Sequence, residues 1–184
     1  MVRGNRQKTL GMLVLAQLGA LMFVLKMALA AFPNVEPVSL LVMVYTVTLG
    51  KWALVPIYIY VLMENLIWGI SEWSICYIYV WLILWGLARL MRKMDSPIGW
   101  AVLSGGFGLC FGALCAPVYI AIGGWAYALS WWVSGIPMDL VHCTGNFAFA
   151  LILFKPLRTL LDKLLTKAGL LPTRTPAPLA AASK

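Results

Sequence analysis

Apolar runs of about twenty residues, separated by short polar or Gly/Pro-marked breaks, recur along most of the chain, and no other feature narrows the fold as far. A run of that length crosses the hydrocarbon core of a bilayer as a helix. In lipid a segment must satisfy its own backbone N–H and C=O groups, which a helix does within itself. Composition agrees. Hydrophobic residues make up 62% of the chain and charged residues 11%, where a soluble domain carries about 25% charged. Much of the surface therefore faces something other than water.

Six such runs are expected. The first covers 10–32 and stops at Pro33. The second, 38–49, is short for a full crossing and ends at Gly50-Lys51. The third covers 53–70 with Pro56 in its first turn, and the fourth covers 74–90. The fifth runs over 97–122 to Gly123-Gly124. A short amphiphilic piece, 125–133, precedes the sixth at 137–154. The expected organisation is a basic N-terminus at 1–9, a helical domain at 10–160 and a basic tail at 161–184. From Leu171 onward the tail is rich in Pro, Ala and Thr, cannot build a core, and is expected to be disordered.

The positions of the basic residues orient this map. With the N-terminus inside, the inner face receives Arg3, Arg6, Lys8, Lys51, Arg89, Arg92 and Lys93. It also receives Lys155, Arg158, Lys163, Lys167, Arg174 and Lys184, leaving Lys26 on the outer half. The C-terminus is then inside as well. Asp95 and Asp162 fall inside, whereas Glu36, Glu64, Glu72 and Asp139 lie in or near the outer half. Carboxylates at such depth are costly unless they face a cavity or a partner. The net charge of +8 thus reflects topology, because the basic residues form no stripe interleaved with base-stacking aromatics.

The N-terminal basic cluster, apolar run and Ala28-Leu29-Ala30 have the outline of a secretory signal, but the run is too long and Lys26 interrupts it, so a retained helix is expected. The cysteines (Cys76, Cys110, Cys115 and Cys143) show no CxxC spacing and read mainly as small apolar fillers.

Polar residues in the outer half form several groups. Asp139, His142 and Asn146, at i, i+3 and i+7, share one helical face. They present either a pocket wall or a hydrogen-bonded seam between helices. Glu64 and Asn65 stand near the outer end of the third helix. Lys26 is placed to pair with Glu36, Glu64 or Asp139, or to extend toward the interface. Tyr77, Trp81 and Trp85 make an aromatic stripe that would suit a flat ligand or simply fill space. Trp125, Trp131 and Trp132 read as an interfacial belt. Ala16, Gly19 and Ala20 form a small-residue patch that allows close helix approach, and Gly105, Gly106, Gly108 and Gly112 do the same in the fifth helix. One histidine, and no HExxH, GxSxG or nucleotide-binding loop, argue against an enzyme.

Several stretches, in this order and spacing, resemble the S components of energy-coupling factor (ECF) vitamin transporters. They are Pro33-Asn34-Val35-Glu36-Pro37-Val38-Ser39, the Tyr45 to Lys51 run, Ala16-xxx-Ala20, Phe107 to Ala113, and Gly145-Asn146-Phe147 through Phe154-Lys155-Pro156-Leu157. The resemblance covers about 10–160. It implies an all-α membrane protein of six transmembrane helices with cytoplasmic termini, in a prokaryotic cytoplasmic membrane. It further implies a capture subunit that binds a vitamin or similar micronutrient near the outer face. Such subunits work with a transmembrane T component and two cytoplasmic ATPases, so ATP is used by partners and the chain needs no cofactor or metal of its own. By position, Ala16 and Ala20, with Gly19 between them, would dock the T component. Lys26, Asn34, Glu36, Glu64, Asn65, Tyr77, Trp81, Asp139, His142 and Asn146 are the expected substrate-binding residues. No substrate-specific signature is present; the outer tryptophans lean toward a ring-bearing molecule. Two other classes fit the same residues: a proton-coupled secondary transporter using Glu64, Asp139 and His142 as a relay, and a non-transporting membrane scaffold.

Overall fold

The computed structural model describes residues 4–32 and 34–171. Arg3, Pro33, Arg174, Lys184 and the expected disordered tail beyond Leu171 lie outside the described residues. Within them the protein is all-helical, with no strand. The order is α1 (Asn5–Ala28), α2 (Val38–Leu49), a 3-10 turn (Gly50–Ala53), α3 (Leu54–Trp68), α4 (Glu72–Leu90), α5 (Pro97–Leu109) and α6 (Phe111–Lys167). Four stretches are long and apolar enough to cross a membrane: Asn5–Ala28, Val38–Trp68, Glu72–Leu90 and Pro97–Lys167.

α2 is the axis of the bundle. Its residues from Val38 to Thr46 are all buried, so it is covered on every side, as a helix apolar all round must be in a protein core. It packs on α4 and α6. The shortness that set it apart in the sequence fits this enclosed position. α1 lies along α3 with the two running in parallel, since Gly19 meets Pro56 and Ile59 while Lys26 reaches Glu64 further along. Leu66, Ile70, Leu90 and Trp125 are among many large apolar side chains left on the outside.

Helix ends follow local chemistry. Ser71 and Ser74 form a capping box at the start of α4, the reciprocal arrangement that satisfies exposed N–H groups. Ser96 caps α5 by accepting from Gly99 N–H, and Pro97 occupies its first turn, where a missing N–H costs nothing.

α6 is two arms. Gly124 interrupts it at φ 79°, ψ −178°, a conformation that glycine alone adopts freely. The chain folds back there, because Gly112 N–H donates to Asp139 at 3.1 Å. A straight helix would separate those residues by about 40 Å. Tyr119 on the first arm stacks on Trp131 of the second at 3.7 Å between ring centres.

Helix bounds differ from expectation: α1 spans Asn5–Ala28 rather than 10–32, and the expected fifth helix, 97–122, is divided at Cys110 between α5 and the first arm of α6. The second arm is continuous from the break through Lys167, with Pro137 and Pro156 inside it, so no separate amphiphilic piece precedes a sixth helix starting at Pro137. A proline within a helix frees a carbonyl one turn earlier, a loss that packing and local adjustment absorb in membrane helices. Residues 161–167 are helical rather than part of an unstructured tail.

Candidate functional site

A cavity of about 580 Å³ opens at the end of the bundle where α1 and α3 finish and α4 begins. That volume falls within the usual range for a small-molecule pocket. Eight of the ten expected binding residues line it: Lys26, Asn34, Glu36, Glu64, Asn65, Tyr77, Asp139 and His142. Trp81 and Asn146 do not.

One wall is ionic. Lys26 Nζ lies 2.6 Å from Glu64 Oε2 and 3.9 Å from Glu36 Oε2. Asp139, the third partner considered for this lysine, is not among its contacts. The ammonium also donates to Tyr77 OH at 3.4 Å and stands over the Tyr77 and Tyr60 rings, 5.3 and 5.8 Å from their centres, close enough for cation–π attraction. Burial pushes the Glu36 carboxyl above the ordinary carboxylate range; Lys26 pulls it down and Glu64 adds a further upward push.

The loop between α1 and α2 closes the same side. Asn34 holds φ 58°, the single positive value outside glycine among the described residues, and Asn tolerates this region better than most side chains. Its Nδ2 donates to Met138 O at 3.2 Å, tying the loop to the second arm of α6. Asn65 accepts from Ser74 Oγ, so α3 and the start of α4 are joined at the rim.

The opposite wall comes from α6. Asp139 and His142 are 6% and 2% exposed. Both Asp139 oxygens accept from Gly112 N–H, at 3.1 and 3.2 Å. His142 sits edge-on to Phe111, ring centres 4.9 Å apart, and its Nε2 is buried without a partner among the described residues. Asn146 lies one turn deeper and binds Ser39 Oγ at 3.0 Å and Ser104 O at 3.4 Å. The polar stripe is therefore divided: Asp139 and His142 face the cavity, and Asn146 belongs to a seam joining α2, α5 and α6. The glycines of α5 and early α6 make room for it. A Cβ on Gly108 would meet His142 O at 2.8 Å, and one on Gly112 would press on the Asp139 carboxylate.

The aromatic stripe divides in the same way. Tyr77 lines the cavity, whereas Trp81 is fully buried beneath it, touching Tyr60, Tyr77, Phe107 and Phe111. Trp85 lies at the far end, where its Nε1 donates to Gly50 O at 3.1 Å. The cavity instead gains Trp73, Phe111 and Trp131. Trp73 precedes Tyr77 by four residues and so extends the stripe one turn outward, a signal present in the sequence. Trp131, read as interfacial belt, is drawn inward by the fold-back at Gly124, which no periodicity reveals.

The small-residue patch on α1 also splits. Gly19 is buried, and a Cβ there would lie 2.7 Å from Ile59 and 2.9 Å from Pro56 O. It serves the protein's own α1–α3 packing. Ala16 is exposed and Ala20 half-buried.

At the opposite end, Trp85, Arg89, Arg92 and Lys93 surround a shallow open depression. Arg89 stacks over the Trp85 ring at 5.7 Å. A Cβ on Gly169 would lie 3.5 Å from Gln7 Nε2, so the start of α1 and the residues just past α6 lie side by side. No known protein family, curated protein or solved structure matches the chain.

Proposed function

We propose that this chain is a membrane-embedded substrate-capture subunit of the ECF type. The observation that carries the proposal is the lined cavity and its position. Eight dispersed polar and aromatic residues, from four separate helices and one loop, converge on it, while Lys51, Arg89, Arg92 and Lys93 lie toward the other end. Under the positive-inside rule the basic end faces the cytoplasm and the cavity faces out. In this reading α1, α2, α3, α4, α5 with the first arm of α6, and the second arm of α6 make six crossings with both termini inside.

The subunit binds a vitamin or similar micronutrient in the outer cavity and passes it inward with a T component and two ATPases. Ala16 and Ala20, free of the protein's own core to different degrees, form the docking surface on α1. The test is purification in mild detergent, followed by mass spectrometry of what the protein carries and of which proteins accompany it. A retained small molecule together with a membrane subunit and ATPases supports the reading. A protein that carries no molecule and transports in response to a proton gradient alone would point to a secondary transporter instead. Ala16→Trp should disrupt assembly and leave ligand retention by the isolated subunit intact.

A further inference from the structure

The charges around the cavity do not balance. Its lining carries one ammonium, Lys26, against three carboxylates, Glu36, Glu64 and Asp139. Lys26 pairs with Glu64 at 2.6 Å and stands 3.9 Å from Glu36. Asp139 has no cationic partner among the described residues; its oxygens accept only from Gly112 N–H. Carboxyl groups thus outnumber the ammonium in the lining, and Asp139 faces the cavity without a counter-charge. Such a charge is retained in low dielectric only where something compensates it.

Two further groups at the same walls await partners. Among the described residues, His142 Nε2 and Glu64 Oε1 are buried and unpaired, in residues 2% and 8% exposed. Buried polar atoms in native proteins are nearly always bonded, so an occupant that bonds here is expected. Trp73 and Phe111 lie 6.5 Å apart with ring planes 20° from parallel, and Trp131 stands 5.9 Å from Trp73. Aromatic faces attract cations as well as flat rings.

Resting on the capture reading above, we propose that the substrate is a flat organic monocation, of the class of a quaternised nitrogen heterocycle. Its ring packs against Trp73, Phe111 and Trp131, its charge faces Asp139, and a polar substituent meets His142 or Glu64.

The test uses the full chain in detergent and three small bicyclic probes of nearly equal size. They are N-methylisoquinolinium, isoquinoline at mildly alkaline pH where it is uncharged, and the anion 1-naphthoate. The cation should bind about tenfold or more tightly than either other probe. Asp139→Asn keeps an acceptor for Gly112 N–H, so the fold should persist; it should weaken the cation about tenfold and leave isoquinoline unchanged. Trp73→Leu, at the more open edge, should weaken the cation as well, and melting curves verify that both variants fold. Equal or tighter binding of the neutral or anionic probe overturns the proposal, as does a cation indifferent to Asp139→Asn. A neutral or anionic molecule retained through purification overturns the cation assignment while leaving substrate capture intact. A chain that retains no molecule and binds none of the probes overturns both.

Discussion

Lys26 on α1 places its ammonium 2.6 Å from the Glu64 carboxylate on α3, and this contact joins two helices at the wall of the cavity. Thirty-eight residues of chain separate the pair. Both side chains are mostly withdrawn from solvent, so each makes the burial of the other tolerable.

Removing one partner should therefore cost more than removing both. Lys26→Met leaves Glu64 and Glu36 without their cation and should destabilise the protein by about 3 kcal/mol. Adding Glu64→Gln should recover more than half of that loss. Thermal melts of the two single variants and the double variant in detergent measure the coupling. Strictly additive losses would show that the pair contributes nothing as a pair.

The glycines offer a graded packing test. Gly108→Ala drives a methyl against His142 O on the facing helix, and such overpacking costs about 1–3 kcal/mol. Gly106→Ala, with nothing within 4 Å of its added carbon, should be neutral or slightly stabilising, as alanine is the better helix former. Melting midpoints should rank the two variants clearly. A Gly108→Ala protein as stable as the parent would contradict the close approach of α5 to α6.

Asn146 and His142 should behave differently despite sharing a helix face. Asn146→Ala strands Ser39 and removes a buried bond, so it should lower stability by about 1–3 kcal/mol. Once folded, it should retain the ligand. His142→Ala should reverse that pattern, with small thermal effect and roughly five- to hundredfold weaker retention of the molecule that co-purifies. Trp81→Ala should resemble Asn146→Ala, since it opens a void beneath the cavity at a cost of about 3–5 kcal/mol. Titration and melting of each variant separate the cases.

Topology is checked by reporter fusions. Those placed after Arg92 and after Lys163 should report the cytoplasm, and one after Gly124 should report the outside. A cytoplasmic signal after Gly124 would show that the two arms of α6 do not make two crossings.

Much of the cavity could be read in one dimension. Polar groups in apolar helices are conspicuous, and the spacing of Asp139 and His142 puts them on one face before any fold is known. The start of α5 at Pro97 was legible, as were the turns at Gly50 and Gly124 in their glycines. Pro137 misled, because a proline signals a helix end in water but is absorbed inside a packed membrane helix.

The sequence by itself determined that this chain is built from apolar helices, and which ends of those helices carry positive charge. Both properties follow from local composition and the 3.6-residue period. Only the tertiary structure decided which polar residues share a cavity and which share a seam. Asn146 and His142 differ by one helical turn, yet the seam claims one and the cavity the other. That assignment depends on what Ser39, Ser104 and Phe111 bring from other elements. Likewise Trp131 lines the cavity because Gly124 turns α6 back on itself, so that residues far apart along the chain come within van der Waals reach. Contacts between distant segments are set by packing, and packing leaves no period in a sequence.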